Sequence, residues 1–80
     1  MKVSEAVRAR IVELCNEKNL SLYALSKEAG MTQSTLNDIM RRTTVNPGVV
    51  TIRKICTGFG IGVREFYDSP LFDELEVELD

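Results

Sequence analysis

The chain has 80 residues, 44% of them apolar and 28% charged, with a formal net charge of −2, two cysteines and no histidine. A domain of this size buries only about 60 to 65% of its unfolded surface, which leaves one modest core, no room for a deep catalytic cleft and, without histidine, no histidine-based triad or ordinary zinc set. No stretch approaches the roughly 20 apolar residues of a membrane span and the opening MKVSEAVRAR lacks a signal-peptide apolar run, so cytoplasmic residence is the expectation.

Ser4 reads as the N-cap of a first helix running to about Lys18, with Glu5 near its positive pole and Val7, Ile11, Leu14 and Cys15 as its apolar stripe. Asn19 and Leu20 end it. Ser21 caps a second helix that closes at Gly30, where the chain needs a left-handed residue. Leu25, Ala29 and Met31 supply apolar contacts around that bend, and Ser26 is small where two helices must approach. Thr32 caps a third helix, in which Leu36, Ile39 and Met40 fall at i, i+3, i+4 and the cationic end Arg41-Arg42 suits the negative pole of the dipole. The run TTVNPG is a loop, because Pro47 disfavours helix at Asn46 before it. A fourth helix follows from about Val49 to Thr57, burying Ile52, Ile55 and Cys56 and stopped by Gly58 and Gly60. Gly62, with Glu65 three residues on, starts a short fifth helix through Tyr67. Ser69-Pro70 opens a further short helix to about Glu76, although Leu75 to Asp80 also alternates apolar and acidic in the manner of a strand.

Charge divides the chain more sharply than its average suggests. Residues 1–64 carry ten basic and five acidic side chains, a net +5, whereas residues 65–80 carry seven acidic groups and no basic one, a net −7. A moderately basic body therefore bears an acidic end, and residues 1–68 and 69–80 are expected to be a helical domain and its tail. Cys15 and Cys56 stand far apart on apolar stripes, which favours buried reduced thiols over a disulfide. No GxxxxGK[ST] occurs, and Gly58, Gly60 and Gly62 read as helix-end punctuation rather than a phosphate cradle. No metal, cofactor or catalytic activity is expected.

Between Leu22 and Arg41 the segment LYALSKEAGMTQSTLNDIMR joins two short helices through a glycine, the layout of a helix-turn-helix. Opposite the apolar stripe of its second helix lie Gln33, Ser34, Asn37, Asp38 and Arg41, a face of amides, hydroxyl and guanidinium suited to base edges. A polar outer face alone also suits an ordinary surface helix. The glycine bend, the caps and the downstream segments together argue for more. LSLYALSKEAGMTQSTLNDIM, the NP of the following loop and VVTIRKICTGFGIGVREFY resemble the Cro/CI-type helix-turn-helix regulators, the XRE family, over residues 4 to 67.

That resemblance implies an all-α, compact five-helix, lambda-repressor-like DNA-binding domain with a short acidic C-terminal tail. It further implies a homodimer bound to a double-stranded DNA operator, with the third helix in the major groove. Carried over by position, Gln33 and Asn37 can pair with adenine N6 and N7, Arg41 can reach guanine or phosphate, and Ser34 can serve a base. Tyr23, Lys27, Thr32, Thr35, Arg42, Thr43, Thr44 and Asn46 are the candidates for backbone contact. Asp38 has two readings: an intrahelical partner of Arg41 and Arg42, or an acceptor for cytosine N4. Three departures from the family pattern stand out. Leu22 occupies a place often held by a phosphate-anchoring glutamine, Arg42 a place often held by glycine, and Cys15 and Met40 replace a frequent arginine–glutamate pair. The last two are expected to pack on each other, sparing the cost of a buried ion pair.

A repressor is the leading function, and an antitoxin or adaptor that grips another protein is the alternative. Leu71, Phe72, Leu75, Val77 and Leu79 give the acidic tail enough apolar surface to dock on a partner or a second copy, while a solvated, disordered end remains open.

Overall fold

The computed structural model describes residues 1–41 and 46–76. They form α1 (Val3–Lys18), α2 (Leu22–Ala29), α3 (Gln33–Arg41), α4 (Val49–Phe59) and α5 (Val63–Tyr67), followed by one 3₁₀ turn over Pro70–Phe72. The described residues contain no strand, and no helix among them is long and apolar enough to cross a membrane.

Local chemistry explains most of the boundaries. The Glu5 carboxylate accepts the Lys2 backbone N–H at 2.9 Å, which makes half a capping box and starts α1 at Val3, ahead of the expected cap at Ser4. Ser4 is instead buried. Asn19 ends the helix in the left-handed region at φ 58°, a conformation that asparagine tolerates, and Leu20 N–H then reaches the Cys15 carbonyl at 2.9 Å. Ser21 Oγ accepts the Ala24 N–H at 3.1 Å, and Gly30 closes α2 at φ 69°. Both match the expected cap and bend.

The fourth helix differs from expectation. It runs through Gly58 to Phe59 and stops at Gly60, which alone takes the left-handed conformation there. Gly58 serves a close crossing: a Cβ at this position would lie 2.9 Å from Leu25 Cδ1, 3.0 Å from Ala29 Cβ and 3.1 Å from Ala29 N. Glycine is thus required where α4 passes over α2, and not as a stop signal.

Leu14, Ile11, Leu25, Leu36, Ile55, Cys56 and Phe66 are fully buried at the centre of a cluster drawn from all five helices. α2 packs against both α3 and α4, so the central pair of the helix-turn-helix rests on the core through the second helix. Both cysteines are free and buried, as the apolar stripes predict, and burial pushes each thiol pKa upward. Cys15 belongs to the core cluster and Met40 packs against that same cluster.

Arg10 is buried in a way that its count as a basic residue conceals. Its Nε donates to the Phe66 carbonyl at 2.7 Å, Nη2 donates to the Glu65 carbonyl at 2.9 Å, and Nη1 pairs with Glu13. A cation at the negative pole of α5 reaches carbonyls of its last turn, of which Glu65 O also accepts the Asp68 N–H at 3.2 Å, and ties α1 to α5.

After α5 the chain folds back on α1. Ser69 Oγ accepts the Leu71 N–H at 3.3 Å and Pro70 follows, but helical structure ends after one 3₁₀ turn rather than continuing to Glu76. Asp73, Glu74 and Glu76 would sit at the negative end of a longer helix, which disfavours it. Phe72 meets Tyr67 edge-on at 4.9 Å between centroids and Phe66 at 6.3 Å, while Glu76 N–H donates to the Met1 carbonyl at 3.0 Å. The tail positions Val77 and Leu79 lie outside the described residues.

Candidate nucleic-acid interface

α3 turns two faces in opposite directions. Leu36 and Ile39 are buried and Met40 is half-buried, as the apolar periodicity requires. Gln33, Ser34 and Arg41 are exposed, and Asn37 is half-buried. Gln33, Asn37 and Arg41 follow at steps of four, so they form one stripe along the helix, with Ser34 and Asp38 beside it. Asp38 is half-buried and already engaged in an interaction, so it is not a free carboxylate on this face.

Two threonines shape the start of α3. Thr32 Oγ1 accepts the Thr35 N–H at 3.1 Å, which makes Thr32 the N-cap, and donates to Thr35 Oγ1 at 2.8 Å. Both side chains are exposed.

The flank on α2 is also ordered. Tyr23 is 53% exposed, and Lys27 Nζ lies 5.1 Å from the centre of its ring. One helical turn thereby presents an ammonium held over an aromatic face. Leu22 is turned partly into the core rather than outward, so no phosphate anchor stands at that position. Asn46 is exposed just before α4, whereas Arg42, Thr43 and Thr44 lie outside the described residues. α4 adds two exposed bases that sequence reasoning did not single out, Arg53 and Lys54, the former donating to Thr57 Oγ1 at 2.9 Å. Charge counting also credited the surface with Arg10, which is in fact buried against α5.

A glycine-bent helix pair on a small core, with a polar, partly cationic face on the second helix, defines a helix-turn-helix module of the kind that reads duplex DNA. The profile of the helix-turn-helix family matches residues 11–66, and the chain belongs to that family, the XRE type of DNA-binding regulators. Among solved structures, the crystal structure of the prophage Lp1 protein 11 is similar, with 36% sequence identity and a TM-score of 0.79 over 94% of this chain and 100% of that one. No curated protein matches the chain.

Proposed function

We propose that this chain is a sequence-specific operator-binding repressor acting in the cytoplasm, with residues 1–68 as the DNA-reading unit and residues 69–80 as its appended end. α3 enters the major groove from Gln33 to Arg41. The observation that carries this is the polar stripe of exposed Gln33, half-buried Asn37 and exposed Arg41, backed by Leu36 and Ile39 locked in the core. Amides that cannot rotate away with their helix are preorganised for bidentate pairing with adenine, while Arg41 serves guanine or phosphate. Ser34 stands beside them as a base or backbone donor. Lys27, Thr35 and Asn46 contact the phosphates and set the register without reading sequence, joined by Tyr23 and Thr32 on the flank and by Arg42, Thr43 and Thr44 beyond α3. Asp38, already engaged within the protein, acts as a positioning group rather than a reader of cytosine.

A homodimer on two half-sites about 34 Å apart completes the proposal. Selection of sites from random duplex DNA, followed by salt titration on the winner, tests it. The expected result is a two-fold related site whose affinity falls about 10³- to 10⁵-fold between about 50 and about 200 mM salt, the loss for roughly six to ten phosphate contacts. Recovery of no preferred sequence overturns it.

A further inference from the structure

A groove of about 530 Å³ lies on the face where the tail packs on α1, with Met1, Glu13, Pro70, Leu71, Asp73 and Glu74 among the residues lining it. We propose that it docks a short basic segment of another protein, in which lysine or arginine alternates with aliphatic residues. The shape favours an extended peptide: Glu13 lies ten residues along α1 from its start at Val3, a rise of about 15 Å, so a groove reaching from Met1 to Glu13 matches about five residues of extended chain.

Its chemistry sets the rest. Met1, Pro70 and Leu71 supply an apolar floor, and three carboxylates stand at the rim. Asp73 and Glu74 are exposed and have no ion pair among the described residues, while Glu13 keeps 40% of its side chain exposed despite its pair with Arg10. Among the lining residues the cationic group is the Met1 ammonium, which lies 3.7 Å from Glu76 and is spoken for by that carboxylate, as the Arg10 guanidinium behind Glu13 is by its own pair. An occupant with aliphatic side chains for the floor and ammonium or guanidinium groups for the rim is complementary on both counts. The chain's own terminal VELD carries Glu78 and Asp80, of the same sign as the rim, and is a poor occupant. This site stands independently of the α3 face and of any operator.

The test uses the full isotope-labelled protein and a blocked pentapeptide of alternating lysine and leucine, followed by amide chemical shifts. Expected are saturable shifts confined to residues 1–13 and 69–76, weakened roughly three- to tenfold in D73N/E74Q, as expected for two exposed charge pairs. L71S should weaken binding as well, and a glutamate–leucine peptide should not bind. The proposal fails if a lysine–glycine peptide binds equally well, if shifts scatter over acids on other elements such as Glu28 and Asp38, or if D73N/E74Q binds unchanged. It fails too if the free protein self-associates through this face and D73N/E74Q abolishes that, since the occupant is then a second copy. Operator affinity measured in parallel separates the two proposals, because D73N/E74Q leaves every proposed DNA contact intact.

Discussion

Replacing Gly58 with alanine sets helix propensity against packing. Inside a helix, glycine to alanine ordinarily gains about 0.5 to 1 kcal/mol, because alanine loses less backbone entropy on folding. Here the added Cβ meets Leu25 Cδ1 at 2.9 Å, Ala29 Cβ at 3.0 Å and Ala29 N at 3.1 Å. The leucine tip can turn aside, but the Ala29 atoms belong to the backbone and first carbon of α2 and move only if the helix moves. Overpacking of this kind costs about 1 to 3 kcal/mol, which exceeds the propensity gain. The net expectation is a loss of about 0.5 to 2 kcal/mol, or a fall in Tm of roughly 2 to 16 °C for a domain of this length. Thermal unfolding followed by far-UV circular dichroism measures it directly. Adding Ala29→Gly should recover part of the loss in a double-mutant cycle, since it removes one of the three atoms met. A Gly58→Ala protein as stable as the parent, or more so, would refute the claim that the α2–α4 crossing demands glycine.

Arg10→Ala should cost about 2 to 3 kcal/mol in urea unfolding, because it strips charged donors from the Phe66 and Glu65 carbonyls, while the salt dependence of DNA binding stays unchanged. Lys27→Ala should do the reverse, leaving stability within about 0.5 kcal/mol and lowering affinity for all sequences with a salt slope smaller by about one. The buried thiols bear on pH. Their pKa values are raised in the folded state above the usual 9.0, with burial dominating at Cys56 over the opposing pull of Arg53. The folded protein thus holds protons that the unfolded chain releases, so this stability is fully present below 9.0 and is lost as pH rises from there through the folded pKa values. Tyr67, raised above 10.0 by burial and by Cys56, adds to the decline at higher pH. Urea midpoints of the parent should fall in that range, and those of Cys15→Ala/Cys56→Ala should fall less steeply from their own starting value.

Much of the architecture is written in local signals. Ser21, Gly30, Thr32 and Gly62 each act on backbone groups within a few residues, so their roles as caps and bend follow from residue type and spacing, and the structure places them accordingly. Gly58 was legible only as a break, because its requirement comes from α2, more than 25 positions away in sequence, and nothing local distinguishes a close crossing from a stop. Arg10 illustrates the same limit for charge. Its partners at Glu65 and Phe66 are 55 and 56 positions distant, so a count of basic residues assigns it to the surface. At the candidate interface, the outward stripe of Gln33, Asn37 and Arg41 follows from helical period. The hydroxyl contact between Thr32 and Thr35 does not, since it depends on the rotamers of the two side chains.

Affinity for the selected operator and its single-base variants, measured for the parent, Gln33→Ala and Asn37→Ala, tests the proposed mode of reading most directly. If α3 reads bases, each variant loses about 1 to 3 kcal/mol on the operator and loses discrimination at one base position while keeping it at the others. A uniform loss across all operator variants, with discrimination intact at every position, would contradict base reading by these amides.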